Sequence, residues 1–207
     1  MSADTSSRRP LASRGSAFAR KAVALLLKTS VTPNQISVAS VAIAALGAAA
    51  LAAAPRWPAL FLLAALAVQL RLVCNLLDGM VAVEGGRGTP VGALYNEVPD
   101  RVADTLFLVA WGWAAGIPSL GWAAALAAAL TAYLRVLGGA LGQKQDFRGP
   151  MAKQHRMALL TATCVVSLVE HLALGSGWAL QAGLWIVALG SLATCVTRTR
   201  AIADRIG

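Results

Sequence analysis

Residues Leu60 to Glu84 read LFLLAALAVQLRLVCNLLDGMVAVE. The first half is apolar enough for a bilayer core, which takes about 20 such residues per helix. The second half carries Asn75, Asp78 and Gly79 into the same helix. Ionisable groups at that depth are costly and face a polar cavity or a partner. The stretch therefore reads as a membrane span with a polar site near its end.

The rest of the chain agrees. Of its 207 residues 57% are hydrophobic and 13% are charged, with a mean hydropathy of +0.66. Soluble domains carry roughly a quarter charged residues. The expected fold is an all-α integral membrane protein: six transmembrane helices with an N-terminal amphipathic interfacial helix. Spans are expected at 34–54, 58–84, 94–116, 119–142, 155–174 and 178–197. Thr32-Pro33 is a helix-start signal for the first. Residues 1–14 are polar and expected to be a disordered tail. Residues 15–30 interleave Phe18, Val23, Leu26 and Leu27 with Arg20, Lys21 and Lys28, the pattern of a helix in the interface plane. Residues 31–200 form the six-helix membrane domain.

Charge bias orients the chain. Arg and Lys gather before the first span, between spans two and three, between four and five, and after the last. The opposite side has Arg56 alone. Short loops rich in Lys and Arg stay in the cytoplasm, so both termini are expected there, in a multi-pass protein of the cytoplasmic (inner) membrane. The net charge of +9 is explained by these clusters and forms no stripe, which argues against nucleic acid. Cys74, Cys164 and Cys195 lie in apolar runs and His155 and His171 are far apart, so neither residue type marks a metal site.

Five of the nine acidic residues fall between Asp78 and Asp104: Asp78, Glu84, Glu97, Asp100 and Asp104. Asn75, Asp78 and Ala82 share one helix face, and Asn96, Asp100 and Asp104 share a face of the next helix. The loop GGRGTPVG between them makes the two helices expected antiparallel neighbours, with Asp78 and Asp100 at similar depth facing the cytosol. Carboxylates so close repel unless neutralised. Arg71 and Arg101 could do this for one or two of them. A divalent cation would do it for the cluster, and hard oxygen ligands suit Mg²⁺ or Mn²⁺. Gly79 would let a large ligand approach the backbone, or would serve tight helix packing.

Asp78-Gly79-x-x-Ala82 followed by Asp100-x-x-x-Asp104 resembles the signature of the CDP-alcohol phosphatidyltransferases, and residues 32–37, TPNQIS, resemble that family's approach to its first span. The likeness covers roughly residues 30–200. Three positions depart from the family pattern: Asn75 stands for its first aspartate, Val83 for its arginine and Asn96 for its second glycine, which marks a divergent branch. The resemblance implies transfer of a phosphatidyl group from a CDP-linked lipid, with CDP-diacylglycerol the expected donor, to a small hydroxyl acceptor with release of CMP. Metal ligands would be Asp78, Asp100, Asp104 and, through its carbonyl oxygen, Asn75. One ion fits, or two with Glu97 or Glu84 helping. Asp104 would be the base for the acceptor hydroxyl, with Asp100 the second catalytic carboxylate. Asn75, Gly79 and Ala82 would contact the CDP-lipid. Arg135, Lys153 and Arg156 could grip a phosphorylated acceptor, although Lys153 and Arg156 could equally be cytoplasmic anchoring charges. The resemblance also implies a homodimer among membrane lipids. Gly112-x-x-x-Gly116 and Gly138-x-x-x-Gly142 are weak packing signals that fit one. Two rivals are a catalytically impaired member that only binds lipid or nucleotide, and an ion transporter. The acceptor's identity stays open.

Overall fold

Thr32 and Gln35 cap the first long helix reciprocally. Thr32 Oγ1 accepts from the Gln35 N–H at 3.2 Å, and Gln35 Oε1 accepts from the Thr32 N–H at 2.9 Å. With Pro33 in the first turn this starts α2 (Pro33–Ala53). The structure is a computed structural model and describes residues 16–206, so the expected tail at 1–14 lies outside the described residues. The other helices are α1 (Ala17–Leu26), α3 (Leu60–Glu84), α4 (Gly92–Ala114), α5 (Pro118–Ala140), α6 (Lys153–Leu174) and α7 (Trp178–Ala203). No strand occurs among the described residues.

Five helices, α2, α3, α5, α6 and α7, are long and apolar enough to cross a membrane. The fold is that of a multi-pass membrane protein. Helix α4 is as long as these but holds Glu97, Asp100, Arg101 and Asp104 in its first half. The expected boundaries lie within two residues of the observed ones except at the end: α7 runs on to Ala203 instead of stopping at 197. Arg198 is therefore inside a helix, and it is buried.

The long helices close into a ring. Helix α2 packs on α3 and α4, α3 on α6, α6 on α7, α7 on α5, and α5 on α4. This corrects one expectation: α3 and α4 both lean on α2 rather than lying side by side as a hairpin. Small residues permit the approach. A Cβ on Gly47 would lie 2.4 Å from Ala67 Cβ and 2.9 Å from the Phe107 ring, where α2, α3 and α4 meet. Gly112 meets Gly121 backbone to backbone across α4 and α5, where an added Cβ would come within 2.7 Å. Gly116 and Gly142 have φ of 73° and 77° and form turns. Gly138 faces Ile202 of α7. Gly112 and Gly138 are thus used in packing inside the chain.

Large apolar side chains such as Leu46, Leu66, Leu126, Val166 and Leu189 point outward, while Ala44, Phe107, Trp111, Leu160 and Leu184 fill the ring. That inversion suits a hydrocarbon surround, where exposed apolar surface costs nothing. Ser16 caps α1, whose Ala19 and Val23 pack with Met80 and Val81 of α3 while Phe18 and Leu25 stay exposed. At the other end of the bundle Glu170 accepts from the N–H groups of Trp178 and Ala179 at 2.7 and 2.9 Å. A carboxylate from α6 thereby caps the head of α7.

Candidate active site

Asp100 and Asp104 sit one turn apart on the inner face of α4, immediately after Pro99. Both are buried. Asp100 Oδ1 accepts from Arg71 Nη2 at 2.9 Å and from Asn75 Nδ2 at 2.7 Å. Its Oδ2 accepts from Lys153 and faces Arg101 Nη2 at 3.7 Å. Asp104 Oδ1 accepts from Arg71 Nη2 at 3.1 Å, and its Oδ2 from Arg156 Nη2 at 2.8 Å. Two carboxylates on α4 are thus gripped by cations from α3 and α6.

Asp78 stands apart. It is buried on α3, and its Oδ2 accepts from Ser37 Oγ of α2 at 2.5 Å. It forms no ion pair among the described residues. Of the expected ligand set, Asp100 and Asp104 lie together and Asn75 bonds Asp100, while Asp78 is held by Ser37. Among the described residues no three His, Cys, Asp or Glu side chains are gathered to hold an ion. Protein cations occupy the room between the α4 carboxylates, and Asn75 turns its amide N–H toward Asp100. The expected helpers also lie elsewhere. Glu97 pairs with Arg135 Nη2 at 2.5 Å and Arg101 at 4.0 Å, and Glu84 is exposed at the end of α3.

Gly79 is half-buried beside Asp78, and a Cβ placed on it would meet nothing within 4 Å. Of its two readings, tight packing is excluded and open space remains. Ala82 lies one turn further on and is also half-buried. Asn96, on the same helix as the α4 aspartates, is exposed.

A second basic cluster adjoins the first. Arg156 Nη1 donates to Met151 O at 2.8 Å and reaches Thr131 Oγ1 at 3.4 Å. Arg198 donates to the Thr131 carbonyl and, through Nε, to Arg148 O at 3.0 Å. Arg135 donates to Gln145 Oε1 at 2.6 Å and lies 5.6 Å over the Phe147 ring. Lys153 and Arg156 therefore bind the α4 aspartates, and Arg135 binds Glu97 on the same helix. Sequence reading missed Ser37 and Arg198. Ser37 lies within the quoted TPNQIS segment, but no spacing rule links it to Asp78. Arg198 looked like flanking charge because the last span was ended one residue before it.

With α4 in the ring, carboxylates inside it and α2 capped at Thr32, the relatives can be weighed. No family model matches the chain. It is 31% identical to the archaetidylinositol phosphate synthase of Aeropyrum pernix over 79% of this chain and 82% of that protein. It is 30% identical to the phosphatidylinositol phosphate synthase of Corynebacterium glutamicum, over 84% and 78%. The chain belongs to the CDP-alcohol phosphatidyltransferase family. Inner membrane protein YnbA of Escherichia coli is 32% identical, but over only 63% of this chain and 65% of that protein. Two crystal structures of Mycobacterium tuberculosis phosphatidylinositol phosphate synthase share the phosphatidyltransferase fold. The one with CDP-DAG bound superposes with a TM-score of 0.75 at 21% identity, covering 90% of this chain and 94% of that one. The one with manganese and citrate also gives 0.75, at 21% identity, covering 89% and 88%.

Proposed function

We propose that this phosphatidyltransferase moves a phosphatidyl group from CDP-diacylglycerol to the hydroxyl of a phosphorylated acceptor, an inositol phosphate being the first to test, and releases CMP. The observation that carries the reading is the pair Asp100 and Asp104, held on one face of α4 beside Asp78 and a bank of buried arginines. Relatives named archaetidylinositol phosphate and phosphatidylinositol phosphate synthases support the acceptor, and a fold shared with a CDP-DAG complex supports the donor.

The residues fit a divalent ion, Mg²⁺ or Mn²⁺, on the evidence of Asp78: a buried carboxylate without an ion pair is a hard donor awaiting a cation. Asp78 would hold the ion, with Asp100 offering an oxygen if Lys153 lets go. Manganese in a structure of the same fold supports this. When bound, the ion would neutralise the diphosphate and the departing CMP. Asp100 and Asp104 already meet the cations Arg71, Arg101, Lys153 and Arg156 while Asp78 meets none among the described residues, so ion and diphosphate enter together to keep the added charge balanced.

The protein's own groups do the rest. The open space over Gly79, next to Ala82 and Asn75, receives the nucleotide end of the donor. Arg135, Lys153, Arg156 and Arg198 take the acceptor phosphate as charged donors. The acceptor oxygen attacks the lipid-side phosphorus, the bond from that phosphorus to CMP breaks, and the acceptor proton passes to Asp104. Asp104 Oδ2 is free for that proton only when Arg156 turns away to the arriving phosphate, which couples base activation to acceptor binding.

Six spans, with α4 as the one that carries the site, both termini and the site at the cytoplasmic face of the inner membrane, and α1 in the interface plane complete the proposal. A homodimer is part of it and rests on the family alone. A divergent branch is also part of the proposal, supported by the departures Asn75, Val83 and Asn96 from the family pattern. A member that binds without turnover is the second reading, favoured by cations saturating both α4 carboxylates. The test is CMP release from CDP-diacylglycerol by purified protein with Mg²⁺ or Mn²⁺ and a panel of phosphorylated and plain polyols. Release only with a phosphorylated acceptor supports the proposal. Nucleotide binding without CMP release in every mixture would establish the second reading.

A further inference from the structure

Among the described residues Arg71 makes its hydrogen bonds through one nitrogen. Nη2 lies 2.9 Å from Asp100 Oδ1, 3.1 Å from Asp104 Oδ1 and 3.2 Å from the Asp100 carbonyl. Nε and Nη1 are buried without partners, and the side chain is wholly inaccessible. An arginine kept for structure spreads its fork over paired acceptors. This one acts as a point charge that bridges two carboxylates, as a bridging metal ion would. Asn75, one turn along α3, presents a neutral amide to the same Asp100 oxygen.

We propose that the Arg71 guanidinium is a built-in cation that fills the place of a second metal ion, so that the centre binds one divalent ion per chain. The inference rests on the metal-dependent reading above and deepens it. The sequence left one or two ions open. Two would need an anionic ligand besides Asp78, Asp100 and Asp104, yet Glu97 is engaged by Arg135 and Glu84 is exposed at the helix end. The α4 carboxylates already share a fixed positive charge between them, and a further dication there would meet the guanidinium at hydrogen-bond range. The neutral Asn75 belongs to the same arrangement: a carboxylate in its place would add a charge that only a second ion could balance. The single ion is left to the Asp78 side.

The test counts Mn²⁺ per chain by electron paramagnetic resonance in detergent, with CDP-diacylglycerol present. Four proteins are compared: wild type, Arg71→Lys, Arg71→Met and the double variant Arg71→Met with Asn75→Asp. The expected result is one ion for wild type and Arg71→Lys and two for the double variant, with Arg71→Met gaining a weaker second ion. Melting of the Met variants should rise with Mn²⁺ over a range where wild type no longer responds, so a poorly folding variant still reports as Mn²⁺-dependent yield. Two ions in wild type, or none, would overturn the proposal. So would a double variant that still binds only one, or Met variants whose folding ignores Mn²⁺. CMP release, measured on the same wild-type samples, reports separately on the transferase reading. One ion without CMP release would leave the charge assignment standing and sink the enzyme, and two ions with release would do the reverse.

Discussion

Ser37 Oγ donates to Asp78, and beside them Gly79 opens on empty space. That pairing makes Gly79→Ala informative. The methyl meets nothing, and alanine favours a helix over glycine by about 1 kcal/mol, so the variant should melt at or above the wild-type temperature. If the space belongs to the nucleotide, the KM for CDP-lipid should rise while folding does not suffer. Unchanged kinetics would remove Gly79 from the site. Asp104→Asn retains size and one acceptor oxygen but cannot usefully take a proton. Turnover should fall about 10²–10⁴-fold with donor binding retained, as expected for loss of a general base. Near-normal turnover would move the base elsewhere. Asp104→Ala is the less useful variant, because it leaves Arg156 and Arg71 buried with a carboxylate removed, which costs about 3–5 kcal/mol.

Helix α4 carries its charge into a bundle of apolar helices. It manages this because its charged half is neutralised from α3, α5 and α6, and its apolar half locks onto α5 through Gly112 and Gly121. Gly112→Val would force the two backbones apart, so folded yield in detergent should drop sharply, whereas the exposed Val98→Ala should change little. The connection from α5 to α6 has an electrostatic tie of its own. Asp146 accepts from the Arg148 N–H at 3.0 Å and pairs with Arg148 at 2.7 Å and Arg205 at 3.3 Å. Burial pushes its carboxyl up, but the Arg148 N–H and the two guanidiniums outweigh this and hold it below its usual value. The folded value is thus below the unfolded one. The tie contributes fully above the unfolded value of about 3.9 and is lost as pH falls through the folded value. Asp146→Asn should therefore cost up to about 1 kcal/mol at neutral pH, given its part-exposed partners. The gap from wild type in a melting series should close as the medium becomes strongly acidic.

At the scale of the molecule, the ring of α2, α3, α6, α7, α5 and α4 gathers the ends of α3, α4 and α6 that carry charge. Arg56 lies at the opposite end, in the α2–α3 turn, near the cavity of about 190 Å³ bounded by Pro55, Ser167 and His171. A single cysteine introduced at Arg56 in a cysteine-free background should react with an impermeant thiol reagent from outside intact cells. One introduced at Lys144 should react only after permeabilisation. Equal labelling of both would refute the orientation.

Much of this was legible in the chain. Apolar run lengths set the long helices to within two residues except at the end of α7, Thr32-Pro33 set a helix start, and Lys and Arg counts proposed the sides, because each depends on local composition. The spacing of Asp100 and Asp104 put both on one face because an α-helix repeats every 3.6 residues. What the tertiary structure alone decided is which charge meets which. The partners of these carboxylates lie far off in sequence, Arg71 29 and 33 residues from Asp100 and Asp104, Arg156 52 from Asp104 and Lys153 53 from Asp100. Ring closure, not sequence proximity, brought them into contact. Local spacing predicted repelling carboxylates in need of a metal, or of Arg71 and Arg101 for one or two of them, and both arginines do meet Asp100. The fold supplied cations for two of them and left Asp78 without one, because a buried charge takes whatever counter-charge the packed helices bring within reach.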